Sequence, residues 1–207
     1  MPRTKKGNKE LIVKKVKKEP LQLVRGMHDI LPDEQKYWDY ATNKMLKIAK
    51  GFDYKKIETP VVEKTALFSR GVGEATDVVQ KEMFSFVDKS GESVSLRPEP
   101  TAGICRAYIE HGMKMMPQPV KLFWYGPVFR HERPQAGRYR EFRQFDMEVI
   151  GDQNPILDAE IIFITWKMLT DIGFVGSEVQ INSIGCPECR PAYKEALTDY
   201  YGSKQQK

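Results

Sequence analysis

Cysteine is scarce in this 207-residue chain: only Cys105, Cys186 and Cys189 are present. An odd, sparse count argues against a disulfide framework and fits a reducing compartment, so a cytoplasmic location is expected. No segment approaches the roughly 20 consecutive apolar residues that a bilayer span needs, so no membrane partner is expected. The basic N-terminus has no apolar run behind it and no small-residue cleavage site, unlike a secretory signal. Glycine-rich phosphate loops of the dinucleotide and Walker types are both missing, so any nucleotide phosphates must be held by side chains. No internal repeat occurs. The one CxxC, Cys186 to Cys189, has no second pair, and His28, His111 and His131 stand far apart. A closed zinc site takes four ligands, so no metal ligands are assigned to the protein.

What is present is unevenly distributed. The first 20 residues carry eight Lys/Arg and two Glu, a charge of +6, whereas the whole chain carries +5. The body is therefore close to neutral, and residues 1–20 read as a basic disordered tail. Two readings of that tail stand open: a solvated leader, or an arm that attracts polyphosphate by counterion release. With 41% hydrophobic residues, the remainder has the makings of a packed core.

Along the body, Asp33 is placed to cap a helix to about residue 50, with Tyr37, Tyr40, Met45, Leu46 and Ile48 as its apolar stripe and Gly51 as its stop. A strand over 54–62 ends near Pro60, and a short helix follows over 63–68. Two strands, 83–87 and 93–97, flank a glycine-containing turn. Thr101 caps a helix to about residue 109. Strands over 120–129 and 141–150 enclose a polar loop. A helix over 157–171, a last strand over 178–184 and a helix after Cys186 complete the series. Hairpins with helices inserted between them predict an α+β domain, an antiparallel sheet with flanking helices.

Chemistry concentrates between residues 122 and 151. Arg130, Arg133, Arg138, Arg140 and Arg143 occupy two strand ends and the loop joining them. Alternation puts Phe142, Gln144, Asp146 and Glu148 on one face of the second strand and Phe145, Met147 and Val149 on the other. Arg130 and Glu132 share a direction on the first. A face lined with ionised groups is costly to bury without a ligand. Guanidinium suits phosphate, and a phenylalanine beside it offers a stacking surface for a base. The pattern predicts a nucleotide site; a salt-bridged hairpin on a solvated surface satisfies the same alternation.

The string Phe129-Arg130-His131-Glu132, followed after a loop by Arg138-Tyr139-Arg140-Glu141-Phe142, resembles motif 2 of class II aminoacyl-tRNA synthetases. Its longer form, FRHERPQAGRYREFRQFDMEVIG, is similar to the version found in the histidine–tRNA ligase family. RGMHDILPDE from Arg25, the motif 1-like stretch 56–70, LRPEPTAGICRAYIEHG from Leu96 and INSIGCPECRPAY from Ile181 resemble further segments of that family in the same order. The resemblance covers nearly everything after residue 20.

It implies a partial class II catalytic core over 21–184 and the start of a further segment over 185–207. It implies ATP, with Mg2+, as the nucleotide, L-histidine and tRNA(His) as partners, and a homodimer through the motif 1 region. By the same resemblance Arg130 is the catalytic arginine at the ATP α-phosphate and also touches histidine. Glu132, Arg138 and Phe142 complete the ATP set. Glu99, Pro100, Thr101, Gln144 and Glu148 form the histidine set, with Glu148 reading the imidazole N–H. Pro100 departs from the glycine or other small residue expected there and has no N–H to donate. Glu99 and Thr101 have a second role to fill, at the N-terminus of the helix that follows.

The GLDYY-like signature, a motif 3 arginine and an anticodon-binding domain are not found in these residues. The 207-residue chain alone is therefore expected to be inactive in aminoacylation and, with sheet edges bare, prone to aggregate. Two alternatives are a non-catalytic paralogue, similar to the regulatory subunit of ATP phosphoribosyltransferase, and an RNA-binding or dimerising remnant. The regulatory paralogue has little need for Arg130, Glu132 and Phe142 together.

Overall fold

The structure is a computed structural model, and it describes residues 20–72, 82–182 and 185–202. The basic tail, apart from Pro20, lies outside the described residues. The elements in chain order are α1 (Pro32–Gly51), β1 (Lys55–Lys56), β2 (Val62–Lys64), α2 (Thr65–Val72), β3 (Ser85–Val87), β4 (Ser93–Leu96), α3 (Thr101–Glu110), β5 (Val120–Phe129), β6 (Glu141–Ile150), α4 (Pro155–Ile172) and α5 (Cys189–Gly202).

Two three-stranded sheets carry the fold, in the orders β1-β5-β6 and β2-β4-β3. All pairings are antiparallel except the two-residue parallel match of β1 with β5. The centre is the ten-residue hairpin of β5 and β6, registered from Val120 opposite Ile150 to Phe129 opposite Glu141. Alternation along it divides two cores. On one face Phe123 joins Ile48 and Ala49 of α1, Tyr54, and Ile164 and Met168 of α4, with Phe145, Met147 and Val149 packed against them. On the other, Val120, Leu122, Trp124 and Val128 pack with Ile104 of α3, and Phe142 and Ile150 lie alongside. The hairpin is thus sandwiched between α1 and α4 on one side and α3 on the other. Because Phe145, Met147 and Val149 spend one face on packing, the polar set of β6 is left on the α3 side.

Several local expectations change in the folded chain. The cap of α1 is Leu31, not Asp33. Pro32 takes the first helical position, where its missing N–H costs nothing, and the Glu34 side chain accepts from the Leu31 amide at 3.2 Å. Tyr37 and Tyr40 face outward, with Lys36 and Lys44 ammonium groups over their rings. The strand predicted over 54–62 is cut to Lys55–Lys56. The buried Arg97 guanidinium takes the carbonyls of Thr59 and Pro60, at 2.8 and 3.4 Å, that a longer ladder would use. Residues 63–64, expected in the helix, instead join Val62 in β2 because residues 62–64 find a partner in residues 94–96 of β4. The strand predicted over 178–184 does not form in its described residues, 178–182. No neighbour among the described residues pairs with them, and Val179 and Ile181 are exposed.

Candidate nucleotide and amino-acid site

The β5–β6 hairpin delivers two charged regions to one face of the sheet. At the loop end, Arg130 Nε donates to the Pro98 carbonyl at 2.9 Å, and its guanidinium lies 5.2 Å from the Phe142 ring centroid. The hydrogen bond fixes the arginine's stem; the ring supports its plane. Glu132, whose side chain is mostly buried, meets the exposed Arg138 at 3.5 Å. A cavity of ≈ 600 Å³ opens between Arg130, Glu132, Arg138, Phe142, Tyr139 and Glu82.

The loop that closes this end is pinned from a distant part of the chain. The Arg140 amide donates to the Gly26 carbonyl at 2.6 Å, and its guanidinium reaches the carbonyls of Glu132 and Arg25 at 3.2 and 3.3 Å. Gly26 has φ +86°, and an added Cβ would come within 2.9 Å of both Arg140 Cγ and Pro134 Cγ. Only glycine fits that approach. One of the five arginines is therefore a structural clamp rather than a free phosphate ligand.

Farther along β6, about 20 Å of strand from Phe142 to Glu148 leads into an acidic region. Thr101 Oγ1 donates to Glu148 Oε1 at 2.7 Å. Gln144 Nε2 donates to Asp146 Oδ1 at 2.8 Å. The Glu99 carboxylate accepts the amides of Thr101 and Ala102 at 2.6 and 3.0 Å, one on each oxygen. Glu99 is therefore the side chain that caps α3, where an anion also suits the helix dipole. This corrects the expectation that Thr101 caps the helix: Thr101 is its first residue, and its hydroxyl crosses to β6 instead. Pro100 is fully buried with its carbonyl accepting from the Ile104 amide, so it shapes the helix start. A second cavity, of ≈ 870 Å³, is lined by Glu99, Thr101 and Cys105 with Arg70 and Arg106.

Burial, and after it the charges of Glu148 and Glu99, push the Asp146 carboxyl up to about 6, against the pull of the Gln144 hydrogen bond and of Arg130. Burial likewise raises the Glu148 carboxyl; the Thr101 hydrogen bond lowers it and Glu99 raises it. Asp146 Oδ2 is buried without a hydrogen-bond partner among the described residues. Three carboxylates held together against their mutual repulsion need a cation or an N–H donor between them to be at ease.

A family model described as histidyl-tRNA synthetase matches residues 26–187. The chain belongs to the histidyl-tRNA synthetase family. It is 46% identical over 186 residues to the histidine–tRNA ligase of Desulfitobacterium hafniense (strain DSM 10664 / DCB-2), a match covering 90% of this chain and 44% of that protein. Among solved structures it resembles the apo histidyl-tRNA synthetase of S. aureus, with a TM-score of 0.70 and 38% identity over 88% of this chain and 43% of the other. It also resembles an ATP phosphoribosyltransferase regulatory subunit/histidyl-tRNA synthetase from Bacillus halodurans C, with a TM-score of 0.65 and 27% identity over 76% of this chain and 39% of that one. The chain spans less than half the length of the curated relatives it matches. As in the solved histidyl-tRNA synthetases it resembles, the architecture is the class II synthetase fold.

Within this family member, Arg130, Glu132, Arg138 and Phe142 converge on one cavity, while Glu99, Thr101, Gln144 and Glu148 gather around Asp146. Asp146 was visible in the sequence as part of the alternating polar set, yet the burial of its Oδ2 without a hydrogen-bond partner among the described residues is a tertiary fact. Glu82 and Tyr139 enter the arginine cavity without a pattern of their own. The Glu82 carbonyl accepts the His131 amide at 2.7 Å, and Tyr139 lies against His28 with ring centroids 4.6 Å apart.

Proposed function

We propose that this chain is the ATP- and histidine-binding part of a histidine–tRNA ligase, forming histidyl-adenylate and then histidyl-tRNA(His). The observation that carries the reading is the division of one sheet face into a cationic end at Arg130 and an anionic end at Glu99, Asp146 and Glu148. ATP presents polyanion and purine; histidine presents an ammonium and an imidazole. The two ends match those charges in order along one face of the β5–β6 hairpin.

In this reading the histidine carboxylate oxygen attacks the α-phosphorus, a P–O bond forms, and the bond to pyrophosphate breaks. Arg130 neutralises charge gathering on the α-phosphate oxygens, held in place by its Nε bond to Pro98 and by the Phe142 ring. The adenine base stacks on the Phe142 side with Glu132 near its amino group, and Arg138 reaches from the loop. Mg2+ enters as the counter-ion of the ATP substrate. Glu99 and Thr101 meet the ammonium, each carboxylate oxygen of Glu99 keeping a second lone pair after capping the helix. Gln144 meets the polar end of the amino acid and Glu148 the imidazole N–H, and an analogue without that N–H leaves a carboxylate unpaired. A terminal hydroxyl of tRNA then displaces AMP from the adenylate carbonyl.

The Arg130, Glu132 and Phe142 set favours the ligase over a regulatory paralogue, which has no phosphoryl chemistry to perform. The stretch 56–70 supplies a dimer contact, and the cytoplasm is the compartment. β6 is paired only along its β5 side among the described residues, and an open ten-residue edge invites further strands or aggregation. These 207 residues by themselves are expected to bind substrates weakly and not to turn over.

The test is titration calorimetry of L-histidine and of ATP–Mg2+ against the chain, its R130A variant and its E148Q variant. R130A should weaken ATP about tenfold or more, with a smaller loss for histidine, and E148Q should weaken histidine about tenfold while sparing ATP. Equal loss of both ligands in both variants, or no binding to the parent chain, overturns the assignment.

A further inference from the structure

Cys186 and Cys189 enclose Pro187 and Glu188 where the chain turns into α5, and neither sulfur lines the cavities of the β5–β6 site. Both cysteines are free and exposed, and their Sγ atoms lie 3.4 Å apart. The turn that brings them together is built from backbone. The Cys186 amide donates to Cys189 Sγ at 3.0 Å, and the Arg190 amide donates to the Cys186 carbonyl at 2.9 Å. Gly185 has φ +75°, and a Cβ there would sit 2.8 Å from Cys189 Sγ, so the sulfur occupies space that only glycine leaves open.

The surroundings set these thiols apart from the third. Backbone and side-chain hydrogen bonds from Cys189, and then the Glu188 amide, hold the Cys186 thiol below its usual range. Partial burial of its sulfur, and then Glu148 and Glu99, hold the Cys105 thiol above it. A thiolate-prone cysteine with a second thiol in contact is the arrangement that thiol–disulfide exchange requires. Two sulfurs supply half of a tetrahedral zinc set, and among the described residues no group of three or more His, Cys, Asp or Glu converges on a point.

We propose that Cys186 and Cys189 are a reversible dithiol–disulfide pair that exchanges with small-molecule disulfides of the glutathione class. The Cys186 thiolate attacks one sulfur of the disulfide, whose S–S bond breaks and releases one thiolate. Cys189 then gives its proton to solvent and attacks Cys186 Sγ in the mixed disulfide, expelling the second thiolate. The protein loses two electrons and two protons; the small disulfide gains both and leaves as two thiols. Closing the bond needs the sulfurs to approach by only ~1.4 Å, and it fixes the entry to α5. This inference is independent of the ligase reading.

The experiment equilibrates the 207-residue chain with mixtures of oxidised and reduced glutathione, alkylates the remaining thiols and maps them by peptide mass spectrometry. The expected result is a Cys186–Cys189 disulfide that forms and is reversed by the reduced form, with Cys105 alkylated throughout. C189S should collect a glutathione adduct on Cys186, and C186S should collect one on Cys189 about tenfold more slowly. The proposal is overturned if the pair stays alkylated in mixtures that oxidise a peptide of the same local sequence, or if Cys105 gains glutathione as fast as Cys186. The mapping of the unmutated chain decides the matter even where a variant folds poorly.

Discussion

Thr101 and Glu148, 47 residues apart, share a 2.7 Å hydrogen bond that ties the first turn of α3 to the far end of β6. The hydroxyl donates to a carboxylate whose affinity for protons burial has already raised. That bond sets the position of two of the residues proposed to meet histidine.

T101V keeps the shape and removes the donor. Glu148 loses the one interaction that pulls its pKa down, so its carboxyl should titrate at higher pH in a carboxyl-carbon NMR titration. Stability should fall by ~1–2 kcal/mol in urea unfolding, the usual cost of stranding a charged acceptor. A Glu148 titration curve unchanged by the substitution counts against this bond.

Asp146 makes a prediction about pH. Its carboxyl binds a proton more tightly in the folded chain, at about 6, than at its ordinary 3.8. Its stabilising contribution is thus complete below the unfolded value and is lost as pH rises through the folded one. The D146N chain should therefore gain stability over the parent near neutral pH, by ~1–2 kcal/mol once partial solvent screening is allowed for, and lose that advantage toward about pH 4. Urea midpoints at both ends of this range test it; a constant difference across them argues for a packing effect alone.

Gly26 governs the loop that carries Arg138. G26A forces a side chain into the left-handed region and against Arg140 and Pro134. The expected loss is ~1–3 kcal/mol. It should appear as faster hydrogen exchange at the Arg140 amide, which now donates to Gly26 at 2.6 Å. Unchanged exchange there means that the clamp lies elsewhere.

Arg97 holds the two sheets together. It is buried, donates to the carbonyls of Pro127 and Thr59 at 2.8 Å each, and lies 4.5 Å from the Trp124 ring. Lysine keeps the charge but cannot span both carbonyls or stack flat. R97K should cost ~2–4 kcal/mol, with Trp124 fluorescence reporting the loss of order. A cost below ~1 kcal/mol would show the planar fork to be dispensable.

How much was legible in the sequence differs from element to element. The strands 120–129 and 141–150 stand where alternation and turn residues put them, because both faces of a long hairpin are strongly patterned. The short segments around residues 54–64 were misread. Two- and three-residue strands carry no period, and their extent is decided by Arg97, more than 30 residues away, claiming their carbonyls. Thr101 was read as a cap because its type favours one; Glu99 does the capping because its carboxylate reaches two amides at once.

By itself, then, the sequence determined the α+β class, the family, the central hairpin and the division of β6 into an apolar and a polar face, since these follow from residue type and spacing along the chain. Tertiary structure alone decided that Arg140 is a clamp and Arg130 a presented cation, that Thr101 answers Glu148, and that Asp146 is stranded among carboxylates. Burial and long-range hydrogen bonds set those roles, and both depend on which distant residues the folded chain brings alongside.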